Sequence, residues 1–184
     1  MTADIPTGSG VVRSGDGSGA DDATAPPALL TRDAFRRLHP IVEPRTLSPL
    51  PERVWTDTEW ERISRGCHAR SMDQRWNAFA EGNVLFLHRS WTGRGIYEAT
   101  FAPAPDGGRR IVGAVVEGDR THYKPLSDAY DRLMLELVVS AVILGEPADE
   151  LRAQLRESTL AKTPGRDGDH TAGAQEHSAL GQQH

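Results

Sequence analysis

Apolar residues between Arg75 and Val116 fall in short runs of period two, cut by glycine-containing turns. That pattern suits strands and no long helix, because successive side chains of a strand point to opposite faces. Arg75-Trp76-Asn77-Ala78-Phe79-Ala80 reads as a first strand, Glu81-Gly82-Asn83 as a turn, and Val84–Arg89 as a second strand. On the second strand Val84, Phe86 and His88 share one face, and Leu85, Leu87 and Arg89 the other. Apolar on both faces for most of its length, it is expected to lie inside the sheet. Ile96–Phe101 and Ile111–Val116 follow, separated by Pro103, Pro105 and Asp106-Gly107-Gly108. The simplest topology is a four-strand antiparallel meander.

One long helix is expected from Ser127 to Leu144. Tyr130, Leu133, Met134, Leu137, Val138, Ala141 and Val142 hold the spacing of one buried stripe, and Gly145 with Pro147 ends it. Leu135, Val139 and Ile143 lie on the opposite side. A helix apolar on two faces is either sandwiched within its own chain or shared with a partner, and the second case would make a homodimer through those three residues. Before the sheet, Thr56 with Glu59 forms a capping box for a helix over Asp57–Arg65. Trp55 and Trp60 are placed as its staple, and Gly66 ends it. A shorter helix is expected over Arg32–Leu38, capped by Thr31 and stopped by Pro40. Pro40, Pro44, Pro49 and Pro51 then mark either an arm lying across the domain or a linker. A final amphipathic helix covers Ala148–Leu160.

Composition bounds the remainder. Only 38% of the residues are hydrophobic and the deficit sits at the ends, where Gly, Ser, Asp and Gln predominate. The expected organisation is a disordered tail at 1–28, a short helix and Pro-rich arm at 29–53, a single α+β domain at 54–160 and a second disordered tail at 161–184. The fold class is therefore α+β: an antiparallel sheet of about four strands against one long helix, with a short N-terminal helix. The net charge is −5, so no global field favours nucleic acid, and Arg109, Arg110, Arg120 and Lys124 are broken up by an apolar strand. No run of residues is apolar enough for a membrane span or a signal peptide, which makes a soluble cytoplasmic protein the expectation. Cys67 is the single cysteine, so no disulfide or paired zinc ligands arise within the chain. His170, His177 and His184 are too far apart for one metal site. No metal or cofactor is expected.

Between the second and third strands stands His88-Arg89-Ser90-Trp91-Thr92-Gly93-Arg94-Gly95. Backbone amides of a Gly-containing turn can cradle an anion, the hydroxyls of Ser90 and Thr92 add donors, and Arg89 and Arg94 supply forked cations. Trp91 offers a stacking surface for a base or sugar ring. The glycine spacing matches neither a Walker A loop nor a dinucleotide fingerprint. The bland alternative places Trp91 in the core and the glycines in a bulge. His88 is the best-placed acid–base group, but Ser90 is two residues along the strand, about 7 Å away and beyond hydrogen-bond reach without a bulge. Asp73 and Arg75 precede the first strand, and the hairpin register could bring Asp73 to His88 as an orienting carboxylate or as a salt bridge.

The segments Met72-Asp73-Gln74-Arg75-Trp76, Leu85–Gly93 and Ile96-Tyr97 together resemble a family of small, uncharacterised bacterial proteins with an HRSWTG segment. The resemblance spans roughly Val54 to Gly145 and leaves both tails outside. That family is associated with ADP-ribose-processing enzymes, which implies a small accessory or nucleotide-type binding domain and carries over no catalytic residues. The leading expectation is non-enzymatic or accessory binding of a phosphate-bearing small molecule by Arg89, Ser90, Trp91, Thr92, Gly93 and Arg94, with Arg75 close by. A small hydrolase or transferase using His88 and Asp73 is the first alternative, and a structural dimeric interaction protein the second.

Overall fold

The alternating runs fold as an antiparallel sheet in a computed structural model that describes residues 28–124 and 126–161. Apart from their innermost positions, the two tails lie outside the described residues. In chain order the elements are β1 (Pro44–Thr46), β2 (Val54–Trp55), α1 (Asp57–Arg65), β3 (Trp76–Glu81), β4 (Val84–Arg89), β5 (Gly95–Pro103), β6 (Arg109–Glu117), α2 (Asp128–Leu137) and α3 (Asp149–Ala161). The sheet order is β1-β6-β5-β4-β3, with β2 pairing alongside β1 on the outer edge of β6.

Six strands replace the expected four. The meander β3 to β6 is present, but the Pro-punctuated arm supplies two further strands. These are only three and two residues long. Such pieces hold only by pairing with β6 at Val115–Glu117 and at Arg109–Arg110, and have no periodicity of their own. The arm therefore lies across the domain. The helix expected over Arg32–Leu38 is a single 3-10 turn, Arg32–Ala34, and the Thr31 side chain does not cap it. Beyond that turn the chain is drawn out by tertiary pairing: His39 bridges Arg94, with the His39 N–H donating to the Gly93 carbonyl at 2.8 Å.

The expected features of α1 are present. Thr56 and Glu59 form a reciprocal capping box, and Gly66 ends the helix at φ 76°. A Cβ on Gly66 would lie 2.3 Å from the Ala78 carbonyl oxygen, so the same glycine lets β3 run close beneath it. Trp55 and Trp60 both pack on Phe101, with ring centroids 5.4 and 4.7 Å away.

The long helix changes character midway. After α2, residues Val138–Ile143 wind as a π-helix, in which the Leu144 N–H donates to the Val139 carbonyl. Val138, Val139, Ser140 and Ala141 are all buried along this segment, continuing the buried run of Leu133, Met134 and Leu135 in α2. Arg53 clamps this segment. Its guanidinium donates to Ser140 Oγ at 2.8 Å, to both Glu146 oxygens and to Glu59. Leu135 and Val139 are fully buried inside the chain and Ile143 partly so, packed between the sheet, α1 and α3. Of the two readings of this face, the sandwiched one is observed, and it leaves Leu135 and Val139 no exposed surface for the alternative homodimer. Each large side chain sealed in this core, such as Trp76, Leu87 or Tyr97, contributes roughly 1.5–3 kcal/mol. No helix among the described residues is long and apolar enough to cross a membrane.

Glu117 ties the arm to the far end of β6. The residue is 1% exposed, and its carboxylate accepts from the backbone N–H groups of Val42 at 2.8 Å, Glu43 at 3.0 Å and Asp119 at 2.9 Å. Burial works to raise its pKa, but those backbone donors outweigh it and hold the carboxyl below the ordinary range. A carboxyl lowered in this way adds stability above its unfolded value, about 4.3, and loses it as pH falls through the folded value. Glu117→Gln is accordingly expected to melt below the wild type at pH 7, with the gap narrowing towards pH 3. A gap that stayed constant across that titration would assign the effect to shape instead of charge.

Candidate functional site

The turn after β4 is tight and its polar groups are spoken for. The Arg89 N–H donates to the Arg94 carbonyl at 2.9 Å, and the Gly93 N–H to the Arg89 carbonyl at 2.8 Å. The Arg94 N–H donates to Thr92 Oγ1 at 3.3 Å. Ser90 Oγ donates to the Gln74 carbonyl at 2.7 Å. His88 is buried, and its Nδ1 lies 3.0 Å from the Gly93 carbonyl, which can only accept, so Nδ1 carries the proton. Burial lowers the pKa of His88, partly opposed by that bond, and Phe79 stacks against the ring. Asp73 is exposed in a turn, with no contact to His88 among the described residues. These arrangements hold the loop in shape. They assemble neither a Ser–His dyad nor an Asp–His pair.

The two arginines that flank the turn go different ways from Trp91. Arg89 lies over the Trp76 ring at 4.2 Å, on the helix-covered face of the sheet. There burial lowers its pKa, against the opposing pull of the Tyr123, Tyr97 and Tyr130 hydroxyls. Strand parity carried this signal, since Arg89 shares its face with the buried Leu85 and Leu87. Arg94 is partly buried where the arm crosses; the pKa of Asp119 is lowered chiefly by hydrogen bonds from Thr121, with a smaller pull from the Arg94 charge. Trp91 is 53% exposed, with the Arg75 guanidinium 4.1 Å over its ring.

Three stretches that are distant in sequence meet beside Trp91. The arm after the 3-10 turn, the loop leaving α1, and the turn after β4 enclose an open cleft of about 600 Å³. Its cations are Arg36, Arg37 and Arg70, all exposed, and the lining contains no carboxylate. Phe35 floors one side, stacked on His68 at 5.1 Å and packed on Phe79 at 5.6 Å. Of the residues expected from sequence, Ser90, Trp91 and Gly93 line this cleft, while Arg89, Thr92, Arg94, Arg75, His88 and Asp73 do not. Arg36, Arg37, His68, Arg70 and Asn77 were not legible as a set, because only the docking of the arm brings them together.

Gly93 is where the arm locks on. At φ 70° it occupies the left-handed region, and a Cβ there would sit 2.2 Å from the Arg37 carbonyl oxygen. The His39 backbone bonds on both sides, from His39 N–H to the Gly93 carbonyl and from Gly95 N–H to the His39 carbonyl, each 2.8 Å. The glycines of the loop thus serve to let the arm approach, and the approach delivers Arg36 and Arg37 to the cleft. A second cleft of about 440 Å³ beside α3 mixes Glu52, Glu136 and Glu150 with Arg53 and Arg132. Its Arg53 is already committed to Glu59, Glu146 and Ser140. No cluster of three or more metal-binding side chains occurs among the described residues. Comparison with protein-family models, with curated proteins and with solved structures finds no match for the chain.

Proposed function

We propose that the chain is a binding module, without chemistry of its own, for a phosphate-bearing small molecule of the nucleotide or ADP-ribose type, held in the cleft beside Trp91. The observation that carries this reading is the charge of the lining. Three arginines and no carboxylate line one hollow in a chain whose net charge is −5. None of the three has an ion-pair partner among the described residues. Guanidinium forks match phosphate oxygens in pairs, and the half-exposed indole offers a face to a planar ring. A cleft of this volume falls within the range of small-ligand sites, about 300–1,000 Å³.

The double charge reversal Arg36→Glu with Arg70→Glu tests it. Both side chains are exposed, so the melting temperature of the free protein should stay within about 2 °C of wild type. The rise in melting temperature that wild type shows with ADP-ribose or AMP should vanish. A wild type that answers to no phosphorylated ligand in this assay would sink the reading.

A further inference from the structure

Asn77 sits on β3 at the floor of the same cleft and is only 6% exposed. Its Oδ1 accepts from the Ala69 backbone N–H at 2.9 Å, and this fixes which way the amide is turned. Nδ2 therefore points away from that backbone, and among the described residues it donates to no protein acceptor. It is not among the side-chain donors sealed from solvent, so it opens to the cleft that Asn77 lines. Its neighbour across Ala69 is also held. Nδ1 of His68 lies 2.8 Å from the Ala69 carbonyl, so it carries the proton and Nε2 of the neutral ring is left as an acceptor. Parallel stacking on Phe35, at an interplanar angle of 5°, steadies the imidazole. A fixed donor and a fixed acceptor thus flank the backbone of one residue at the base of a cationic cleft.

We infer that Asn77 and His68 form a base-edge subsite, an inference that rests on the phosphate-binding reading above. Asn77 Nδ2 donates to a carbonyl oxygen or ring nitrogen of a nucleobase, and His68 Nε2 accepts from the ring N–H or exocyclic amine beside it. The base lies against Trp91, and the phosphate meets Arg36, Arg37 and Arg70. Every nucleobase sets an acceptor next to a donor along one edge, whereas a sugar phosphate offers only hydroxyls that can play either part. The subsite therefore separates nucleotides from phosphosugars, and does not choose one base over another.

Calorimetric titration of the full chain with AMP and with ribose 5-phosphate tests this directly. Wild type should bind AMP more tightly by about tenfold or more, the worth of one well-made hydrogen bond with stacking added. Asn77→Asp keeps an oxygen for the Ala69 N–H and so keeps the fold, while Asn77→Ala removes the donors without adding charge. In both variants the ratio of the two affinities should fall by about tenfold. Loosening of the 68–72 loop would weaken both ligands alike and leave that ratio alone. A preference for AMP that survives both substitutions, or a wild type with no preference, overturns the subsite but leaves phosphate binding standing. Failure of wild type to bind either ligand overturns both.

Discussion

Asp131→Ala is expected to destabilise the protein by roughly 3 kcal/mol in urea denaturation, among the largest effects of any single polar substitution here. The Asp131 carboxylate is fully buried on α2, where Oδ1 accepts from the hydroxyls of Tyr123 at 2.5 Å and Tyr97 at 3.0 Å. Its other oxygen accepts from Arg45 at 2.8 Å. Arg45 is about a third exposed and retains Asp128, so little of the loss comes from the ion pair. Most comes from two buried tyrosines deprived of their acceptor, and from the hollow that alanine leaves. Among the described residues the hydroxyls then keep only each other, at 2.7 Å. Asp131→Asn preserves an acceptor in the same place and should recover at least half of the stability. A loss below about 1 kcal/mol for Asp131→Ala would mean that the network is ornamental.

Gly93→Ala should release the arm without unfolding the sheet. The new methyl carbon would meet the Arg37 carbonyl at 2.2 Å, and the atom opposite is backbone, which cannot swing aside as a side chain can. A left-handed φ adds about 1–2 kcal/mol for alanine, and loss of the two His39 backbone bonds adds roughly 1 kcal/mol each. The total of about 3 kcal/mol falls on the stretch from Phe35 to Ile41, because β3 to β6 make their main contacts with one another. Trypsin cleavage after Arg36 and Arg37 should therefore speed up by about a hundredfold. On the binding reading proposed above, ligand-induced stabilisation should disappear with it, since the arm carries two of the three cleft arginines. Cleavage at the wild-type rate in the variant would show that the arm does not depend on this contact.

The contrast between Trp91 and Arg89 shows how far local pattern reaches. Glycine spacing and position single out the turn after β4, and Trp91 is exposed there. The alternation Leu85, Leu87, Arg89 places Arg89 on the helix side, but a cation beside a glycine-rich turn invites assignment to the turn instead. His68 and Asn77 give no signal at all in the sequence. One follows a helix, the other sits in a strand, and their relation to Ala69 exists only once the loop leaving α1 folds against β3. The arm is the same case on a larger scale: its prolines announce extended chain, and nothing local says what it extends along.

Periodicity and capping chemistry sufficed for the sheet β3 to β6, for α1 between Thr56 and Gly66, and for a buried helix after Ser127. These depend on side chains within a few residues of one another, so their information is written consecutively. Position in space settled the rest: two short strands on the edge of β6, the switch to π-winding over Val138–Ile143, and a cleft drawn from three separate stretches. Each of those is fixed by contacts between residues tens of positions apart, where the entropy of closing the loop is met only when the whole domain has assembled.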